Sequence, residues 1–287
     1  MGQEQDGPGD RDYLAANRAF WDGLVGIHVA STGPDGYDVD ALRRGERRLH
    51  AIEESELGPV DGLDVLHLQC HFGVDSLILA QRGARVTGLD FSPEAVAAAR
   101  ALATELGLDA RFVEGDLYAA PDLIDGRFDL VYVTWGTICW LPDLAGWAKV
   151  AAHFLKPGGR FYFCDAHPAA RVFDDSTEAA ALPAGTLRLH YPYFHRAAPT
   201  TNLVTTDYAD PSAEIRNQRS YEWEHSVSDI VNAVIGAGLR LDWLHEHEEI
   251  AWKLLPVLVP GAHGQYRWPE GFAVTLPLSL SFSARRP

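Results

Sequence analysis

Apolar positions along the chain follow two patterns, and the change from one to the other divides it. Residues 11–25 and 39–57 carry helical spacing; in the first, Tyr13, Leu14, Ala16, Phe20, Trp21 and Leu24 fall on one stripe. Gly33-Pro34-Asp35-Gly36 between them predicts a turn. From 62 to 166 strand and helix signals alternate. The segments 64–68, 84–91, 110–116, 128–136 and 160–167 read as strands. Between them, 74–83 reads as a helix closed by Gly83. A second helix starts at Pro93 behind a Ser92 cap and ends at Gly107, and a third, 144–155, is stopped by Lys156-Pro157-Gly158-Gly159. The fourth strand, FDLVYVTWG, is so apolar that both of its faces must be covered. Strict alternation predicts a doubly wound α/β sheet.

Residues 168–225 break this rhythm and are rich in Pro, Thr, Tyr, His and Arg. Residues 202–225 predict a β-hairpin around Asp210-Pro211. Ser226 and Asp229 then form a capping-box pattern for a helix ending at Gly236 or Gly238, and 239–249 and 272–284 predict two last strands. Four segments follow: a tail and helical lid (1–57), a core (58–167), an inserted cap (168–225), and a helix with strands that complete the core sheet (226–287). Residues 1–10 are expected to be disordered.

The 287 residues suffice for one large domain or a core with a cap. A formal net charge of -16 repels phosphate backbones, so no nucleic-acid partner is expected. The N-terminal MGQEQDGPGD lacks the basic start and apolar stretch of a signal peptide, and Asp6 stands where a myristoylation motif wants Ser or Thr. No uncharged apolar run is long enough to span a membrane. Cys70, Cys139 and Cys164 are widely spaced in apolar stretches and predict reduced, buried thiols. The expectation is a cytoplasmic monomer or homodimer.

In an open α/β sheet, ligands bind outside the carboxyl ends of the strands. Three features fall there: the 69–73 turn, Asp90 ending the second strand, and Asp116 ending the third. A pyrophosphate requires several glycines in the first turn, and here Gly73 alone remains beside Gln69, Cys70 and His71. That disfavours a nicotinamide oxidoreductase. It leaves room for a nucleoside ligand without phosphate, whose ribose hydroxyls suit Asp90.

The ordered set VLHLQCHFGVDS (65–76), VTGLDFS (86–92), FVEGDL (112–117), FDLVYV (128–133) and LKPGGRF (155–161) resembles the class I S-adenosylmethionine-dependent methyltransferases. The LQCHFG form is similar to a bacterial branch of that family, as are YPYFH (191–195) and YEWEHS (221–226). The family's first motif has an acid followed by three alternate glycines. Here His67 replaces the acid, Gln69 and His71 replace two glycines, and Gly73 keeps the third. The resemblance implies a Rossmann-like, seven-stranded sheet and S-adenosylmethionine as cofactor, leaving as S-adenosylhomocysteine. It assigns the ribose to Asp90 with Phe91 beside it, and the adenine to Asp116 with the Leu117 backbone N–H. The methionine portion falls to Gln69, Cys70, His71 and Gly73, with Thr134 and Trp135 at the end of the fourth strand. Tyr37 is placed near the methionine carboxylate. His67 either hydrogen-bonds within the loop or packs.

Methyl transfer from a sulfonium needs alignment in a dry site, and a base only where the acceptor loses a proton. Thr134-Trp135-Gly136-Thr137 replaces the Asn/Asp-Pro-Pro-aromatic motif that resembles nucleobase and amide methylation, so a small-molecule acceptor is expected, methylated at N, O or C; a natural-product intermediate is an analogy. In the cap, Tyr191, Tyr193 and His195 share one face if extended, as do Tyr221, Trp223 and His225. These faces either line an acceptor pocket or pack the cap onto the core. The candidate catalytic residues are His195, His167 and Tyr193. Those for the acceptor are Tyr191, Trp223, His225, Trp140, and, as a lid with Tyr37, Trp21 and His28. His245 and His247 share a strand face, but with no third ligand nearby they read as a solvated acidic edge, and no metal is expected. The alternative is a protein that binds S-adenosylmethionine for cyclisation, rearrangement or sensing.

Overall fold

The computed structural model describes residues 10–33, 35–176, 178–183, 185–272 and 275–287. Residues 1–9 of the expected tail, and Pro34 of the expected turn, lie outside that set. The first helix, α1 (Asp10–Ala30), extends the expected stripe at both ends. The expected 39–57 helix is two short ones, α2 (Val39–Arg43) and α3 (Ala51–Glu56). Gly45 at φ +69° turns the chain between them, a backbone state that ends α-helices.

The core follows the sequence closely. In order come β1 (Asp64–Leu68), α4 (Val74–Gln81), β2 (Arg85–Asp90), α5 (Pro93–Leu106), β3 (Ala110–Glu114), α6 (Ala120–Leu123), β4 (Phe128–Thr134), α7 (Leu144–Phe154) and β5 (Leu155–Ala166). Ser92 caps α5 by accepting from the Ala95 N–H, and Gly107 closes that helix at φ +62°. After α8 (Pro168–Arg171), the hairpin β6 (Thr200–Leu203) and β7 (Arg219–Glu222) pairs antiparallel over four residues per strand. Ser226 and Asp229 form the capping box of α9 (Val227–Gly236), which leads into β8 (Arg240–His247). A small sheet absent from the sequence reading follows, of β9 (Glu249–Ile250), β10 (Val259–Pro260) and β11 (Tyr266–Arg267). The last strand, β12 (Ser279–Arg285), is shorter than the expected 272–284. Pro277 lies in the excluded stretch and has no N–H to give a ladder.

The main sheet runs β3-β2-β1-β4-β5-β12-β8, with β1 to β5 parallel and β12 antiparallel to both of its neighbours. Strand order reverses between β1 and β4, which opens a crevice at their carboxyl ends. Alternation along β4 serves two cores, as its apolarity requires. Leu130 and Tyr132 join Leu77, Ile78 and Tyr162 on one face, while Val131 and Val133 join Trp147, Phe161 and Phe282 on the other. The three cysteines are free and buried. Among the described residues no helix is long and apolar enough to cross a membrane.

One position in β2 ties this core to the crevice. A Cβ on Gly88 would stand 2.6 Å from the Phe112 ring and 2.8 Å from Cys70 Sγ, so the missing side chain makes room for the loop after β1. Gly88→Ala should cost about 1–3 kcal/mol through overpacking. Urea unfolding checks this, and an unchanged midpoint would show that the loop yields freely.

Candidate active site

The loop 69–73 leaves β1 and enters α4. Its backbone has φ +56° at Gln69, +50° at His71 and +78° at Gly73. These are the three positions where the family motif has glycine. The left-handed alternation is therefore kept although two side chains oppose it, at roughly 1–2 kcal/mol each. Gly73 is required for space as well, since a Cβ there would meet Phe112 at 2.6 Å.

Tertiary hydrogen bonds hold the strained residues. Gln69 Nε2 donates to the Thr137 carbonyl at 2.9 Å, and the His71 N–H donates to Asp90 Oδ2 at 2.7 Å. The His71 ring pairs through Nε2 with His28 Nδ1 at 2.8 Å, and His28 Nε2 with Asp207 Oδ2 at 2.9 Å. A carboxylate only accepts, so His28 Nε2 carries a proton toward Asp207. In the tautomer in which His71 Nε2 donates to His28 Nδ1, His71 Nδ1 carries the lone pair. Burial and the neighbouring His28 hold His71 well below the usual imidazole range. This chain joins the loop, α1 and the 168–225 insertion. His67, in place of the motif's acid, pairs through Nδ1 with Ser76 Oγ of α4 at 2.8 Å, and burial lowers it to about 3, so it is neutral. It both hydrogen-bonds and packs, edge-on to Tyr132.

Beside the loop, β4 ends in Trp135 at φ +53°. The Trp135 indole N–H donates to Glu53 Oε2 at 2.6 Å, and the Tyr132 hydroxyl donates to the other oxygen of that carboxylate. The next turn is gathered by Asp165, which accepts from the N–H groups of Gly136 (2.6 Å) and Thr137 (2.8 Å).

These elements enclose a cavity of about 390 Å³, within the range of small-ligand sites. Of the residues expected at a cofactor, Tyr37, Gln69, Cys70, His71, Gly73, Thr134 and Trp135 line it. Four buried polar atoms of its lining residues have no partner among the described residues: Asp35 Oδ1, Arg47 Nε, Gln69 Oε1 and Thr134 Oγ1. Asp90, Phe91, Asp116 and Leu117 lie outside the lining. Asp90 accepts from the Ser92 and His71 N–H groups, and burial raises it to about 6. Asp116 caps the short turn after it by accepting from the Tyr118 N–H. Helix α1 closes this side: the Trp21 ring packs edge-on to His71, and Ser92 Oγ donates to Asp22.

The other candidates are dispersed. Residues 191–195 are bent, not extended, so their shared face does not form. Tyr191 donates to Asp175, while the Tyr193 hydroxyl accepts from the Val227 N–H at 3.4 Å. Tyr221 and Trp223 pack on Tyr13 of α1, and His195 stacks on His225, whose Nε2 donates to the Leu141 carbonyl. Trp140 stands edge-on to Trp21 and donates to the Gly136 carbonyl. His167 accepts the Ala169 N–H as a helix cap and donates to Glu246. None of His195, His167 and Tyr193 lines the cavity. Sequence reasoning missed Arg47, His50, Asp75, Tyr208 and Trp252 in the lining, and Glu53 and Asp165 behind it.

A family model described as a methyltransferase domain matches residues 65–159. A ubiquinone biosynthesis O-methyltransferase from a Methylobacterium species is 34% identical over 209 residues, which cover 68% of this chain and 80% of that protein. The chain belongs to the S-adenosylmethionine-dependent methyltransferases. Proteins of the same description from Shewanella pealeana (29% identical) and Xylella fastidiosa (32%) align over 48% and 41% of this methyltransferase-family chain, which spans 60% and 50% of their lengths. Among solved structures, an S-adenosylmethionine-dependent methyltransferase from Mesorhizobium loti superposes with TM-score 0.53 at 22% identity, over 88% of this chain and 100% of that one. A glycopeptide N-methyltransferase complexed with S-adenosylmethionine gives 0.51 at 20%, over 86% and 94%. At these identities the likeness is one of fold.

The buried carboxyl behind Trp135 sets a pH signature. Burial, reinforced by Asp75, pushes Glu53 up to about 8 against the pull of its hydrogen bonds. An acid that keeps its proton in the folded state stabilises fully below its ordinary value of 4.5, and the contribution is lost as pH rises toward 8. The stability of the wild type relative to Glu53→Gln should therefore fall by more than about 1 kcal/mol across that window, one pKa unit being about 1.4 kcal/mol. Denaturant unfolding at several pH values reads the difference, and parallel profiles would refute it.

Proposed function

We propose that this chain transfers a methyl group from S-adenosylmethionine to nitrogen, oxygen or carbon of a small-molecule acceptor. The observation that carries the reading is the set of unpartnered polar atoms among the cavity's lining residues, the cationic donor Arg47 Nε and the acceptors Asp35 Oδ1, Gln69 Oε1 and Thr134 Oγ1, beside the carboxyl ends of β1 and β4. Leaving such atoms buried and unpaired costs about 1–3 kcal/mol each. A zwitterionic amino-acid end suits both signs. The Arg47 guanidinium would hold its carboxylate, and Gln69 Oε1 and Thr134 Oγ1 would accept from its ammonium. Asp90 would take the ribose hydroxyls, and Asp116 with the Leu117 N–H the adenine, once α1 swings off that side as a lid. Bound there, the cofactor supplies a methyl group already activated on a sulfonium.

The chain's own part is to orient and to dry the site. Trp135, fixed by Glu53, and Tyr37, whose hydroxyl pairs with Tyr208 at 2.5 Å, wall the cavity with aromatic surface that favours a cation. For an acceptor that must lose a proton, the proposed base moves from His195, His167 and Tyr193 to His71. It lines the cavity, and its Nδ1 makes no hydrogen bond among the described residues. The acceptor side, with Trp21, His28 and Trp140 at α1 and the insertion beyond, fits a small molecule.

Calorimetric titration with S-adenosylmethionine beside NAD is the test. Micromolar binding of the first without the second is expected, with Arg47→Ala at least about tenfold weaker, as loss of a charge-assisted bond requires. Equal binding of both would overturn the cofactor assignment. Binding without S-adenosylhomocysteine formation across an acceptor screen would favour non-methylating chemistry.

A further inference from the structure

Outside the lining of the cavity, the edge strand β8 places Trp243, His245 and His247 on one face by its two-residue period. The last turn of α3 lies over that face and brings in Glu56, the third donor that sequence spacing did not reveal. Glu56 Oε1 stands 2.7 Å from His245 Nδ1 and 3.5 Å from His247 Nε2, and all three atoms lie within 4.8 Å of one another. Two neighbouring strands orient the group. The Tyr162 hydroxyl of β5 donates to Glu56 Oε2 at 2.9 Å, and Ser281 of β12 touches both Glu56 Oε1 (3.1 Å) and His247 Nε2 (2.8 Å). The Trp243 indole stacks on the His245 ring at 4.3 Å and fixes its plane.

The carboxylate is the unusual member. Its side chain is only 8% exposed, and among the described residues it pairs with no Lys or Arg, only with the two imidazoles. A buried carboxylate without a cation is costly. In a tetrahedral zinc site with bonds of about 2.0–2.1 Å, donor atoms stand roughly 3.3 Å apart. The two contacts made by Glu56, 2.7 and 3.5 Å, bracket that spacing. The set of two imidazoles and one carboxylate is a zinc set, with a fourth position open to water, and it is too poor in oxygens for calcium or magnesium. His245 is half-exposed, which gives an ion its way in.

We propose that Glu56, His245 and His247 form a zinc-binding site that fastens α3 to the edge of the sheet. This inference does not depend on the methyltransferase reading. The test is titration of chelator-treated protein with Zn²⁺ by calorimetry, and with Co²⁺ by visible absorption. The wild type should bind one equivalent with micromolar or tighter affinity, show the absorption bands of a low-coordinate Co²⁺ site, and gain thermal stability with Zn²⁺. His245→Ala, at a half-exposed position that the fold tolerates, and Glu56→Gln should each weaken binding at least tenfold and lose the Co²⁺ bands. His153→Ala, far from the cluster in α7, should bind as the wild type does. Absence of stoichiometric binding by the wild type, or equal binding by His245→Ala, would overturn the proposal.

Discussion

The left-handed alternation at 69, 71 and 73 is the constraint on which the site depends. It must be kept, because it turns the chain from β1 into α4 and aims the loop across the crevice between β1 and β4. Glycine would supply it without help. Gln69 and His71 supply it only because bonds from outside the loop hold them: the Thr137 carbonyl, the Asp90 carboxylate, and the chain through His28 to Asp207. The strain in the loop is thereby transferred to its neighbours. An α1 that did not present His28, or an insertion that did not present Asp207, would leave a non-glycine loop with nothing to offset roughly 1–2 kcal/mol per residue. The two replacements thus make the N-terminal helix and the insertion part of the 69–73 loop's own stability.

The same logic explains the walls. Trp135 is left-handed as well, and its indole N–H is held by Glu53, which α3 carries in from a distant stretch of chain. Asp165, at the end of β5, collects the N–H groups of the turn that follows Trp135. Both acids are buried and serve donors that would otherwise be orphaned next to the cavity. The crevice is therefore framed by short-range strain and long-range acceptors, with apolar cores on either face of the sheet as the rigid background.

How much of this the sequence makes legible follows from the range of each signal. The β1-to-α7 core is readable because its information is local: period-two or continuous apolar strands, Ser92 before Pro93, Gly107 after the helix. The family resemblance also points to seven of the residues that line the cavity. What fails is what depends on tertiary partners. Helical spacing over 39–57 predicts one helix, yet Gly45 breaks it, and Arg47 beyond the break lines the cavity. The two-residue strands β9 to β11 have no period to detect. The aromatic faces at 191–195 and 221–225 presume an extended chain, and spacing alone leaves open whether they line a pocket or pack the cap. The first bends, and the second is spent on packing Tyr13 of α1. Glu56 lies 189 residues from His245, so no spacing rule joins them.

The acids around the cavity bear on what it can hold. Burial raises Asp75 and Asp90 each to about 6, and Glu53 higher still. Among the described residues no Lys or Arg pairs with Asp90 or Glu53, and Asp75 is only partly relieved by Arg47 and Arg82. Such groups resist ionisation until a positive charge arrives. An anionic or phosphate-bearing ligand would deepen their difficulty, whereas a ligand with a sulfonium and an ammonium would relieve it and draw protons off them. The negative surface of the chain works in the same direction at longer range. Loss of the glycines removes the close backbone approach that a pyrophosphate needs, and the buried carboxylates supply a field that favours a cation. Under the proposed function, the side chains that make this loop unusual and the acids that surround it thus suit one kind of nucleoside cofactor, a cationic one without phosphate.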